Sequence, residues 1–167
     1  MENSGQTLRK RIVSESERSR IERETGTLDI PAIATILVTS EDAANPVDHL
    51  FVPRGDTGKT RWVAADPGEQ CLILDFDQPQ TINGISLEIE ETQVPRSQEL
   101  TISVSTDGGQ TYREIQRQEF NFNPLNTTVE KEHWTVSERG VTQLCLRILP
   151  DKSGGSARAS LTSLVLH

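Results

Sequence analysis

The sequence predicts an all-β chain, an antiparallel jelly-roll β-sandwich of eight or nine strands behind a charged, partly helical N-terminal tail. Three observations carry that expectation. Residues 70–76 (QCLILDF) and 81–89 (TINGISLEI) alternate apolar and polar side chains almost without a break, the period of a strand with one buried face. Short segments of the same kind recur along the chain with Gly, Pro, Asn and Asp between them, as in a sandwich or barrel. No apolar repeat of helical period follows residue 30.

Taken in order, residues 1–27 form the tail and residues 28–167 the domain. Within the tail Leu8 and Ile12 are four apart, but Glu15 and Ser19 hold the next positions of that face, so the stripe ends after one turn. The tail is either solvated or a segment that docks on a partner or a second subunit. A first strand spans 33–39 and a long polar loop runs through 40–61. Strands 70–76 and 81–90 are joined by a turn at Gln78-Pro79, with a bulge or kink at Asn83-Gly84. Residues 99–105 (ELTISVS) put Leu100, Ile102 and Val104 on one face. Segments 112–117, 119–122, 128–136, 142–149 and 159–166 complete the set.

Composition narrows the function classes. The 17 Lys and Arg stand against 25 Asp and Glu, a net charge of −8. Residues 1–25 hold six of the cations and five Glu. The remainder therefore carries eleven cations and twenty anions, or −9. An acidic body argues against a nucleic acid partner, whose affinity rests on cationic contacts. No segment reaches the roughly 20 apolar residues of a membrane span, and the polar N-terminus shows no secretory leader. Cys71 and Cys145 sit in apolar strand-like runs. They read as free thiols of a reducing, cytoplasmic setting, with a disulfide as the alternative. The Gly-x-Ser-x-Gly elbow, the phosphate loop, the His-Glu-x-x-His motif and the dinucleotide fingerprint are all missing, which argues against an enzyme.

Residues 105–112 (STDGGQTY) form a sharp hairpin, with Asp107 capping the turn and Gly108 and Gly109 free to take positive φ. The hairpin is similar to the Asp box of bacterial sialidases, a folding element, and it occurs once. In order along the chain come GDTGKTRW, GEQCLILDFDQPQTINGISLEI, ELTISVSTDGGQTYREI, TQLCLRIL and SARASLTSLVL. This series resembles the discoidin, or F5/8 type C, family of galactose-binding-like jelly rolls over residues 33–167. The resemblance implies a non-catalytic module that binds sugars, phospholipid headgroups or proteins through loops at one end of the sandwich.

It also implies site residues. Gly55-Asp56 followed by Thr60-Arg61-Trp62 resembles a family loop that holds a structural calcium ion, which would make Asp56 and Thr60 the metal ligands. Three departures weaken that site: Arg54 stands where the family has Asp, one extra residue precedes Thr60, and Ser163 replaces a last-strand Glu. Trp62 reads as a core plug beneath the loops, with an exposed sugar platform as the alternative. The loops expected to cluster are 41–61, 91–98, 121–127 and 151–157. They offer His49, Arg54, Arg61, Arg96, Asn121, Asn123, Lys152 and Arg158, among which Arg and Asn present planar donors suited to a sugar or an acidic headgroup. His133 and Trp134, side by side in EKEHWTV, are further ligand candidates. The expected function is carbohydrate binding by the loop end. The alternative is an intracellular protein-interaction or scaffold domain, since RWVAADPGEQ resembles a loop in the N-terminal domain of a single-strand-break-repair scaffold.

Overall fold

The computed structural model describes residues 11, 12, 14–17, 26–51 and 61–167. A short helix α1 (Ile30–Ile33) leads into eight strands: β1 (Ala34–Val38), β2 (Trp62–Pro67), β3 (Gln70–Glu90), β4 (Arg96–Ser105), β5 (Arg113–Phe122), β6 (Val129–Leu149), β7 (Arg158–Leu161) and β8 (Ser163–Leu166). A 3-10 turn, Val47–Leu50, sits in the first long loop. In the tail residues 15–17 are helical, and Arg11 Nη1 lies 2.6 Å from Glu17 Oε1. Among the described residues no helix is long and apolar enough to cross a membrane.

The sandwich is built on one long antiparallel ribbon, β3 with β6. Gln70 to Asp75 pair with Ile148 to Gln143, and Gly84 to Glu90 pair with Thr135 to Val129, with register shifts between. The first half continues outward as β1-β3-β6-β4-β5, and β8 joins the second half of β3. Strands β2 and β7 form a separate pair. The ribbon folds over at its middle, where its register shifts lie, so both of its ends reach the same end of the molecule. The contacts there join the loops after β3, β5 and β6 and the start of β4. Glu91 N donates to Thr128 O at 2.8 Å and Lys152 N to Ser97 O at 2.8 Å.

Burial follows the strand period but changes phase at the bend. Leu72, Leu74, Phe76 and Ile82 are buried on one side of it, and Ile85, Leu87 and Ile89 on the other. The switch from even to odd positions coincides with the register shift between Ile82 and Gly84. Gly84 sits close to two rings: a Cβ there would meet His133 Cε1 at 3.1 Å and the His167 ring at 3.4 Å, so a larger residue would push these side chains back by a few tenths of an ångström. All these side chains join a single core with Leu100, Ile102, Val104, Leu144, Leu146 and Ile148. Trp62 belongs to it as well, fully buried, with its indole Nε1 donating to Ser40 O at 3.1 Å.

Several elements differ from the sequence expectation. The expected turn at Gln78-Pro79 is absent, and β3 stays extended through it. Pro79 is tolerated because the ladder is interrupted between Asp75 and Gln80, so no amide is needed there. The two segments expected at 128–136 and 142–149 likewise join as β6, with Gly140 at φ +66° beside the bend. Segments 112–117 and 119–122 are one strand, β5, which pairs with β4 past a bulge at Ile102/Ser103. The single segment expected at 159–166 is instead two strands. β7 pairs with β2 and β8 with β3, and the chain changes partner at Thr162, whose N–H donates to Glu88 O at 2.8 Å. Strand β2 itself was not foreseen.

At the far end the 105–112 hairpin has the expected geometry, with Gly108 at φ +74° and Gly109 at +87°. Asp107 Oδ1 accepts from Ser105 Oγ at 2.7 Å and from Thr111 N at 2.9 Å, and Oδ2 accepts from Thr111 Oγ1 at 2.5 Å. These bonds, those from Thr111 foremost, hold the Asp107 pKa down at about 2. The folded value lies below the roughly 3.9 of an unfolded Asp. The turn therefore contributes stability above pH 4, and this is lost as the pH falls through 2. Acid titration followed by circular dichroism should show the Asp107→Ala variant losing less stability between pH 4 and pH 2 than the wild type. Equal losses would contradict this.

Cys71 and Cys145 are free and half-buried, with their Sγ atoms 2.9 Å apart. Cys71 faces Arg147 and Cys145 faces Ile73 across the ribbon, which makes the two cysteines diagonal neighbours on the outer face. The hydrogen bond from Cys71 lowers the Cys145 pKa, while the same contact and burial push Cys71 up.

Candidate functional site

Two clefts open at the loop end. The first is shallow, about 650 Å³, and is lined by Arg96, Ser97, Glu119, Asn121, Phe122 and Lys152 among others. Its polar groups are largely engaged with one another. Lys152 Nζ lies 2.6 Å from Glu119 Oε2 and 3.8 Å from Glu99 Oε2. Ser97 Oγ donates to Asn121 Oδ1 at 2.6 Å.

The second cleft, about 450 Å³ and more enclosed, lies between the 91–95 loop and the 151–158 loop. Its walls include Arg61, Glu91, Arg96, Asp151, Arg158 and Ser160. Arg96 forms its floor because positions 96 and 98 share the inward parity of Leu100, Ile102 and Val104 in β4. The Arg96 side chain is 1% exposed, and its guanidinium carbon sits 5.9 Å from the centre of the Phe122 ring. Nη1 donates to Arg158 O at 3.2 Å. Nη2 is 3.1 Å from Glu91 Oε2, outside hydrogen-bond geometry, and Nε has no partner. Burial lowers the Arg96 pKa, against the pull of Glu91 and Asp151, but a guanidinium stays charged. Below it, the Gln98 amide is buried with neither end bonded.

The carboxylates of this cleft are already in use. Glu91 Oε1 accepts from Gln93 N and Val94 N, both at 2.9 Å. Asp151 Oδ1 accepts from Ser153 N at 2.9 Å and Ser153 Oγ at 2.7 Å, which lowers its pKa. Arg158 Nη1 reaches Asp42 Oδ2 at 3.2 Å and Ala64 O at 3.3 Å.

The sequence-derived candidates thus divide. Arg61 and Arg96 line the second cleft, and Arg96, Asn121 and Lys152 the first. Asn123 caps its own turn, its Oδ1 accepting from Leu125 N at 3.0 Å. His133 and Trp134 line neither cleft. The register opposite Ile85 turns Trp134 toward the core, against which it packs half-buried. His133 stands on the outer face, with Nδ1 2.7 Å from Ser86 Oγ. Arg54, Asp56 and Thr60 lie outside the described residues. Among those described, no group of three or more His, Cys, Asp and Glu is placed to hold a metal ion. Sequence reasoning did not single out Glu91 and Asp151, whose role follows only from the burial of Arg96.

The family profile described as "F5/8 type C domain" matches residues 35–163, and the chain belongs to that family. No curated protein sequence matches it. Among solved structures it is similar to a family 32 carbohydrate-binding module, CBM32-3, from a family 31 glycoside hydrolase of Clostridium perfringens. The identity is 16% and the TM-score 0.61, covering 86% of this chain and 96% of that one. It is also similar to the family 32 module of C. perfringens NanJ, solved with galactose, at 15% identity and TM-score 0.57, covering 84% and 96%. A third is the CBM32 of AlyQ in complex with 4,5-unsaturated mannuronic acid, at 16% and 0.56, covering 81% and 95%. At such identities the likeness is one of fold.

Proposed function

We propose that this chain is a non-catalytic carbohydrate-binding module that takes sugar in the cleft between the 91–95 and 151–158 loops. The observation that carries the proposal is that cleft itself: a concave site of about 450 Å³ into which Arg61, Arg96 and Arg158 converge from three separate segments. Its size and its few convergent polar groups suit a mono- or disaccharide. Modules of the same fold are described in complex with galactose and with an unsaturated mannuronic acid, which favours a sugar over a protein partner. The cleft has no Trp or Tyr among its walls, so affinity rests on hydrogen bonds, each worth about 1 kcal/mol net. A dissociation constant on the order of 0.1–1 mM follows.

A broad glycan array tests the reading. At least one sugar class should bind, and Arg61→Ala, which removes an exposed wall, should reduce that binding at least fivefold with unchanged melting. Silence across the array would overturn the proposal.

A further inference from the structure

The hydrogen-bonding capacity of the loop-end cleft is lopsided. Each carboxylate on its wall already accepts from protein groups: Glu91 from two backbone amides with Arg96 close by, and Asp151 from Ser153 twice. The donors are not used up in the same way. Arg96 spends one N–H on Arg158 O and leaves Nε and Nη2 without hydrogen bonds at 1% side-chain exposure. Arg158 commits one nitrogen, Nη1, to its partners. Among the described residues the exposed Arg61 guanidinium has no ion-pair partner. A neutral sugar brings hydroxyls, each both donor and acceptor, and of the two carboxylates only Glu91 Oε2, which faces Arg96, and Asp151 Oδ2 remain to accept from them. A ligand that brings acceptors alone at one edge fits better, because a carboxylate matches the planar fork of Arg in geometry and charge.

On the reading that this cleft binds sugar, we infer that it selects an acidic sugar, a uronate-type residue whose carboxylate meets Arg61 and the Arg96–Arg158 wall. The acidic body of the chain does not oppose this at contact range. At physiological salt, charges more than about 8 Å away are largely screened, whereas the cleft wall itself carries three guanidiniums, Arg61, Arg96 and Arg158, against two carboxylates, Glu91 and Asp151. Long-range repulsion slows encounter without cancelling the local match.

Titration calorimetry of the whole chain tests the inference. The ligands are tetragalacturonate, tetramannuronate and a glucuronate-containing tetrasaccharide, each beside its carboxyl-reduced counterpart. At least one acid form should bind tenfold or more tightly than its reduced form. The gap should narrow between 50 and 300 mM NaCl, and it should vanish in Arg61→Ala at unchanged melting temperature. Equal or tighter binding of the reduced forms, or binding of neutral sugars alone, would overturn acid selectivity and leave the module reading standing. Binding of no sugar of either kind would overturn both. An acid preference that survives Arg61→Ala would overturn the placement in this cleft.

Discussion

Replacing Trp62 with Ala should destabilise the domain by about 3–5 kcal/mol, the range for removing a large aromatic from a core. For a domain of this size that lowers the melting temperature by on the order of 10 °C. The side chain is fully buried, and it starts β2 directly after Arg61. It also ties that strand to the first long loop through the bond to Ser40 O and stands opposite Leu161 of β7. The cavity left behind would loosen the strand pair that carries Arg61 and Arg158, so sugar binding should weaken together with stability. Differential scanning calorimetry checks the first effect. A loss under 1 kcal/mol would show that Trp62 is not the plug its burial indicates. Half-buried Trp134, changed in the same way, should cost less.

Oxidation should act in the opposite sense. Thiol–disulfide exchange with oxidised glutathione would join Cys71 and Cys145, moving two electrons and two protons from the pair to the oxidant. The sulfurs are adjacent, and the residues are 74 apart in sequence. In the chain-entropy account, closing a loop of that length contributes about 4 kcal/mol. The melting temperature should rise by on the order of 10 °C, with a mass loss of two hydrogens, about 2 Da. Cys71→Ser should show neither change. An oxidised protein that melts no higher than the reduced one would contradict this account.

The limits of sequence legibility follow from the same details. Segments whose side chains alternate, such as 70–76, 85–89 and 99–105, were readable because one face is buried throughout. Strand β2 was not, because its burial runs in two blocks, Trp62 to Ala64 inside and the next three residues outside. Its partner β7 also lies about a hundred residues away. The bend in β3 carries turn residues, Pro79 and Asn83, yet the chain stays extended and only the ladder shifts, while in β6 Gly140 takes φ +66° without ending the strand. That outcome depends on the opposing strand, which local sequence does not contain. The same shifts decide that Trp134 faces inward and His133 outward. The burial of Arg96 did leave a signal, since it shares the parity of Leu100, Ile102 and Val104. An Arg is so rarely buried, however, that the pattern reads as a strand starting at Glu99. The loop position of Arg61 and Lys152 was legible, whereas Asn121 and Arg158, expected in loops, lie at strand ends in β5 and β7. Which of them converge on one cleft was not, because that depends on the ribbon folding back to bring the loops after β3, β5 and β6 beside the segment that precedes β2.

The most direct test of the central claim is amide chemical-shift mapping of the whole chain during titration with an oligosaccharide that it binds. The account predicts shifts concentrated at residues 91–97 and 151–160 and at Arg61, with the 105–112 hairpin and the Ser86–His133 face unmoved. Shifts centred on that hairpin or that face, with the loop end silent, would contradict it.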